Sequence, residues 1–272
     1  MFAFLSNFLQ LKQIKLFSAL PLEACRIQKP YLLERSGITS GSVLIFAVPY
    51  LTATSSDPHR DLSSYAVSKD YHLFFRSLFD ELLTALHQAF PNARAVGFAD
   101  HSPIDEVHAA SLAGLGVMGE NRLLITKKYS SYVFLGEVIT DADLGGSAGV
   151  IKPCIGCHKC RSACPAAGAT CLSATSQKKG ELTSDEANLL ASHATVWGCD
   201  VCQEVCPHTR MAMEAGTIFT DIPYFYESPV ANLTLQALNA MDEEAFGCRA
   251  YAWRGRSVIE RNLKLKEEKT GC

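Results

Sequence analysis

The apolar positions along the chain fall into short blocks whose period changes from segment to segment. Residues 43–50, VLIFAVPY, form an unbroken apolar run rich in strand formers and predict a buried strand. From Tyr71 to Phe90 the apolar side chains Tyr71, Phe74, Phe75, Leu78, Leu82, Leu86 and Phe90 recur at helical spacing, and Pro91-Asn92 stops the pattern. AVGFA at 95–99 predicts a second short strand that ends at Asp100. A helix should follow, with Ser102 as N-cap, Pro103 at the first helical position and Asp105 as the acid of a capping box. Gly114, Gly116 and Gly119 punctuate a turn, and LLIT and SSYVFLGEVIT predict two strands joined by KKYS. The Gly-rich stretch DLGGSAG at 143–149 marks a linker, and residues 216–272 read as mostly helical and polar.

The first segment, MFAFLSNFLQLKQIKLF, is read as one amphipathic or buried helix. It has no basic leader region or small-residue cleavage site, and Lys12 and Lys15 interrupt an apolar run too short to span a bilayer. The expectation is a cytoplasmic protein away from the membrane, with a membrane-surface helix as the other reading. Composition agrees: 48% hydrophobic and 19% charged residues in 272 suit a globular chain, and a net charge of −3 gives no global basic field for nucleic acid.

Cysteine usage changes the picture. Eight of the eleven cysteines lie between 154 and 206. The segment Cys154-Ile-Gly-Cys157-His-Lys-Cys160-Arg-Ser-Ala-Cys164-Pro165 is C-x2-C-x2-C-x3-C-P, the two-cluster ferredoxin run. Three thiolates on a tight loop reach three irons of one cubane, while the fourth cysteine serves the other cluster. Cys199-Asp-Val-Cys202-Gln-Glu-Val-Cys206-Pro207 repeats the pattern without its leading cysteine, which Cys171 can supply. Two [4Fe–4S] clusters follow, one on Cys154, Cys157, Cys160 and Cys206 and one on Cys164, Cys171, Cys199 and Cys202. Zinc is the competing occupant, since C-x2-C pairs also bind it. Cys25, Cys248 and Cys272 are left over as buried or incidental thiols.

Further residues carry a family resemblance. They are Tyr65-Ala-Val-Ser-Lys-Asp70-Tyr71-His72, Asp100-His-Ser-Pro103, Gly114-Leu-Gly116-Val-Met-Gly119-Glu-Asn121, Phe134-Leu-Gly136-Glu137-Val-Ile-Thr-Asp141, Trp197-Gly-Cys-Asp200 and Arg261-Asn262. Over roughly residues 43–265 the chain resembles the epoxyqueuosine reductases, cobalamin-dependent iron–sulfur enzymes of queuosine-tRNA maturation. The resemblance implies an α/β fold: a corrinoid- and substrate-binding α/β domain (1–147), a ferredoxin-like domain with two clusters (148–215) and a helical C-terminal segment (216–272). It implies that electrons pass from an external donor through the clusters to cobalamin, and that epoxyqueuosine loses its epoxide oxygen.

Asp100 matches the family's proton donor, a role that calls for a partly buried carboxyl of raised pKa; helix capping is its other reading. Tyr65, Tyr71, His72, Gly116 and Asn121 match corrinoid contacts, against core packing for the aromatic rings and turn formation for the glycine and asparagine. Val117 and Glu120 stand where the family usually has Trp and Lys, and the span from Cys164 to Cys171 is short. The chain ends soon after Arg261-Asn262, where long members continue into a helical-repeat domain, so a short form is expected. The tail residues Arg249, Arg254, Arg256, Arg261, Lys264, Lys266 and Lys269 form either an RNA contact or a solvated face. The expected partner is tRNA or a queuosine-precursor nucleoside, and the chain is read as a monomer. An electron-transfer or corrinoid-reactivating protein without small-substrate turnover is the alternative.

Overall fold

The computed structural model describes residues 2–168 and 170–270, with side chains from 4 to 268 within that range. Cys272, and the side chain of Lys269, lie outside the described residues. The chain divides into two compact units: residues 1–50, 74–157 and 211–222 form the first, and 51–73, 158–210 and 223–272 the second. The three segments read from the sequence are consecutive, whereas these units interleave, because long-range pairing joins separated stretches.

The first unit is built on a four-stranded sheet of β1 (Leu16–Pro21), β2 (Ser42–Pro49), β3 (Ala95–Phe98) and β6 (Val133–Thr140), in the order β1-β2-β6-β3. Between β3 and β6 in the chain come β4 (Val117–Met118) and β5 (Leu124–Ile125), which pair only with each other. Every pairing is antiparallel. The expected α/β layering therefore has mixed content with an antiparallel sheet, and the rule that places ligands at the ends of parallel strands does not apply to Asp100. The unbroken apolar run of β2 is explained by its central place: all eight residues are buried. Val43 and Ile45 join Ala109 and Ala110, of the helix Glu106–Leu112, in one apolar cluster. Phe46 stacks with Phe75 at 6.2 Å. Gly136 lies opposite Phe46, and a Cβ there would strike Phe75, so the strand needs glycine at that point.

Two sequence expectations change, for the first helix and for the cap after β3. The N-terminal helix stops at Leu11, with Leu5 and Leu9 buried, and Gln13 turns the chain at φ 62° into β1. Periodicity alone could not separate this short helix from the strand that follows it. The two strands joined by KKYS are both present, β5 pairing with β4 and β6 entering the main sheet, with Thr126 and Ser130 closing a tight turn between them. The helix after β3 begins at Glu106, and its N-cap is Asp105, which accepts the N–H of His108 at 3.1 Å; Ser102 is not the cap.

The second unit is mainly helical, around the fully buried Trp197 and Tyr251 with Leu62, Val67, Leu238, Ile259 and Leu263. Arg261-Asn262 acts as a clamp here. Asn262 is fully buried and donates to the carbonyls of Ser176 (2.7 Å) and Val196 (2.8 Å), while Arg261 donates to those of Lys178 (2.8 Å) and Gly180 (2.6 Å).

Candidate active site and cluster cysteines

In the first unit, β3 ends at Phe98 and the chain turns sharply. Asp100 adopts the left-handed conformation (φ 63°), which Asp tolerates better than most residues. Its N–H donates to Glu106 Oε1 at 3.1 Å, so the next helix holds the turn. The Asp100 side chain is exposed, not partly buried as its expected role required. Behind the turn stand two carboxyls that the sequence reading gave no role, the half-buried Glu106 and the buried Glu137. Glu137 is fully buried, opposite Ile45 on β2 and Phe98 on β3, and so faces the helix Glu106–Leu112. Ser102 Oγ donates to Glu137 Oε1 and accepts the N–H of Ile104 at 3.1 Å.

Burial, and then the Asp100 charge, push the Glu106 carboxyl up to about 7. Burial, and then Glu106, push Glu137 well above the ordinary range. The signal for Glu137 was present in the alternation Val133, Leu135, Glu137, Ile139, where an acid takes an inward register position. Beside Asp100, the His101 ring meets Lys29 Nζ at 3.3 Å and the Tyr31 hydroxyl at 3.1 Å.

The other residues singled out from the sequence fall into two groups. On the β4–β5 hairpin, a Cβ at Gly116 would lie 2.5 Å from the Ile125 carbonyl, and Asn121 Oδ1 accepts the Leu123 N–H at 3.3 Å. The hairpin itself accounts for both. In the second unit, Tyr65 OH accepts from Trp197 Nε1 at 2.9 Å and packs edge-on to the buried Tyr71. Tyr71 lies against the His72 ring at 4.2 Å, and His72 Nδ1 meets Asp70 Oδ1 at 2.9 Å. The imidazole is thus held in place while 45% of its side chain stays exposed, as a ligand contact would require.

The cysteine runs sit in loops and one-turn helices. In the first unit, Cys154 donates its N–H to the Met118 carbonyl at 2.9 Å, beside β4, and Cys157 is exposed. In the second unit, the helices Lys159–Ser162 and Val201–Glu204 pack together, bringing the Cys160–Cys164 run beside the Cys199–Cys206 run. Cys199 is pushed up to about 11, first by burial and then by the nearby charges of Asp200, Cys171 and Cys164. Three of the four ligands expected for the second cluster are therefore neighbours. Among the described residues, no three His, Cys, Asp or Glu side chains gather at the spacing of a single metal ion.

Asp200, missed as a structural anchor, binds this run down. It accepts from Ser63 Oγ (2.5 Å), Ser64 N (2.6 Å), Arg60 Nη2 (2.8 Å) and Gln203 Nε2 (3.1 Å). Burial pushes the Cys25 thiol up to about 12, and its Sγ donates to the Pro21 carbonyl, which suits an inert core thiol.

The tail cations are largely engaged within the unit. Arg249 donates to the Ser228 carbonyl at 2.8 Å, and Arg256 to the carbonyls of Leu238 (2.6 Å) and Met241 (3.1 Å). Lys264 pairs with Glu260 at 2.6 Å, and Arg254 lies 3.7 Å over the exposed Trp253 ring. No described helix is long and apolar enough to cross a membrane.

The chain is similar to known proteins over most of its length. Residues 37–101 match the family model described as epoxyqueuosine reductase QueG, DUF1730. The epoxyqueuosine reductase of Gloeobacter violaceus is 32% identical over 231 residues, covering 81% of this chain and 71% of that protein. That of Listeria monocytogenes is 33% identical over 211 residues, covering 71% of this chain but only 53% of that protein, about half its length. A crystal structure of epoxyqueuosine reductase with an epoxyqueuosine-modified tRNA-Tyr stem loop superposes with a TM-score of 0.74 at 23% identity, covering 96% of this chain and 80% of that one. These matches identify the protein as an oxidoreductase. The chain belongs to the epoxyqueuosine reductase family.

Proposed function

We propose that this chain reduces epoxyqueuosine to queuosine, with Asp100 delivering a proton to the departing epoxide oxygen. The observation that carries the reading is the Asp100 turn: an exposed acid in a left-handed conformation, its amide held by Glu106, in a chain of this family. An epoxide oxygen leaves poorly as an anion, and an acid at hydrogen-bonding distance removes that obstacle. The α/β part of the chain, 1–147, takes the substrate and the corrinoid, 148–215 is the ferredoxin-like carrier, and 216–272 closes the helical core.

Cys164, Cys171, Cys199 and Cys202 would hold one [4Fe–4S] cluster, and the mutual influence of the first three supports the fit. Cys154, Cys157, Cys160 and Cys206 would hold the other. Tyr65, Tyr71, His72, Gly116 and Asn121 are the residues that would meet cobalamin. The bound groups would supply the two electrons that the reduction consumes, drawn from an external donor. A tRNA stem loop is the substrate form favoured by the epoxyqueuosine reductase crystallised with one. Since Arg249, Arg256 and Arg261 are bonded to carbonyls, any grip on RNA would rest on other residues of the chain, which is read as cytoplasmic and monomeric.

The test is anaerobic reconstitution with iron, sulfide and cobalamin, followed by assay on epoxyqueuosine in a stem loop and as a free nucleoside. Queuosine should form from the stem loop. A protein that binds both cofactors and accepts electrons, yet converts neither substrate, would be the electron-transfer or corrinoid-reactivating protein instead.

A further inference from the structure

The backbone bends sharply at Asp100. His101 N–H donates to the Ala99 carbonyl at 2.7 Å, and Asp100, between them, has φ 63°. A three-residue turn closed in this way, with a positive φ at its centre, is the strained form of the γ-turn. Such a turn persists only where its surroundings hold it. One hold is the bond from the Asp100 N–H to Glu106 Oε1 at 3.1 Å. The other is the His101 side chain, which ties the turn to a separate stretch of chain around Lys29 and Tyr31.

That stretch is itself fixed. Gln28 and Lys29 donate their N–H groups to the Pro103 carbonyl at 2.8 and 3.1 Å, Ile27 bridges Ile104, and Asp105 donates its N–H to the Arg26 carbonyl at 2.9 Å. Pro30 then opens the short helix Pro30–Ser36, which buries Leu32. Lys29 Nζ is thereby held 3.3 Å from His101 Nδ1, and the Tyr31 hydroxyl 3.1 Å from His101 Nε2. The Tyr31 and His101 rings lie 6.3 Å apart, and Arg35 covers the Tyr31 ring at 5.8 Å. A lysine ammonium can only donate, so Nδ1 accepts from Lys29 and the ring proton is left on Nε2, which donates to the Tyr31 oxygen. Both nitrogens are then occupied, which makes the imidazole a tether. Exposed hydrogen bonds of this kind add little to global stability, because water replaces them when they break; what they fix here is the turn.

We propose that Lys29, Tyr31 and His101 are positioning residues that clamp the Asp100 turn and so keep its carboxyl where the departing oxygen is to be protonated. The inference rests on the reading of Asp100 as the acid. The clamp supplies neither proton nor electron. It removes the freedom of a strained turn to relax, so the acid need not be ordered afresh in each catalytic cycle.

The experiment uses the reconstituted holoenzyme and its Lys29→Met, Lys29→Arg, Tyr31→Phe, His101→Phe and Asp100→Asn variants, in two measurements. Long-range proton–nitrogen correlation spectra at mildly alkaline pH need no turnover. The imidazole signal that His101→Phe removes should be a fixed Nε2–H tautomer in the wild type. Its Nδ1 shift should move in Lys29→Met and its Nε2 shift in Tyr31→Phe. A ring that averages over both tautomers, or that neither substitution moves, overturns the clamp. In turnover on the stem loop, Lys29→Met, Tyr31→Phe and His101→Phe should each lower kcat by about tenfold to a hundredfold, with KM, iron content and cobalamin binding little changed. Lys29→Arg, which keeps a donor, should recover part of that loss. In the Asp100→Asn background Lys29→Met should cost nothing more, because the clamp acts only through that carboxyl. An equal loss in both backgrounds would mean general damage to the fold, and a raised KM at unchanged kcat would make Lys29 an RNA contact; either overturns the proposal. Full turnover by Asp100→Asn would instead overturn the reading of Asp100 as the acid, while the imidazole spectrum still decides whether the clamp exists.

Discussion

Asp200 offers the most direct test of how the second cysteine run is held. Its carboxylate is 2% exposed, the Arg60 side chain facing it is 8% exposed, and it accepts four hydrogen bonds. Asp200→Asn keeps the shape and removes the charge, and an N–H2 at the Oδ2 position would face the Arg60 guanidinium and the Ser64 N–H, both of them donors. Arg60 would retain only its 2.5 Å bond to the half-exposed Glu204 and a 2.8 Å bond to the Asp57 carbonyl. Breaking a buried ion pair from one side costs about 3–5 kcal/mol, which lowers the folded-to-unfolded ratio by about a hundredfold to several thousandfold.

With a urea dependence of about 2–3 kcal/mol/M, the midpoint should fall by about 1–2 M. Anaerobic urea titration of the iron-loaded protein, followed by the fluorescence of the buried Trp197, measures the shift. Iron release should begin at the same lowered urea concentration, because Asp200 directly follows Cys199. Arg60→Met in the Asp200→Asn background removes the stranded charge, and the double variant should be less destabilised than the sum of the singles by at least about 1 kcal/mol. A change below about 1 kcal/mol in Asp200→Asn, or simple additivity, would refute the claim that this pair anchors the run.

Three further outcomes are expected. Anaerobically purified protein should hold about eight irons per chain, and Cys171→Ser should reduce that number; iron content near four, unaltered by the substitution, would break the proposed pairing. Asp100→Asn should leave iron content intact and lower turnover by about 10²–10⁴, while near-normal turnover would return Asp100 to a turn-forming role. Arg256→Ala should lower the unfolding temperature, since it removes the guanidinium that donates to the Leu238 and Met241 carbonyls, and the salt slope of stem-loop binding should not move; a shallower slope at unchanged stability would assign Arg256 to RNA.

Cysteine spacing is local chemistry, so the ligand sets are proposed from the chain alone, and the helical period from Tyr71 to Leu86 and the apolar run of β2 gave their elements because they too are local. What escaped depended on partners distant in the chain. The first strand was lost in an apolar stretch that a helix shares, and only its pairing with β2 shows its register. Ser102 looked like a helix cap because a serine before a proline and an acid fits that pattern, yet β6 places Glu137 beside its hydroxyl, and Asp105 caps instead. Arg249, Arg256 and Arg261 read as a basic tail because charge is visible in a sequence, whereas the carbonyls that take their hydrogen bonds are not. Asp100 was singled out by motif, but its burial was misjudged. The low-dielectric site that raises a carboxyl pKa is made by sheet and helix together, and it encloses Glu137 and Glu106 rather than the residue at the turn.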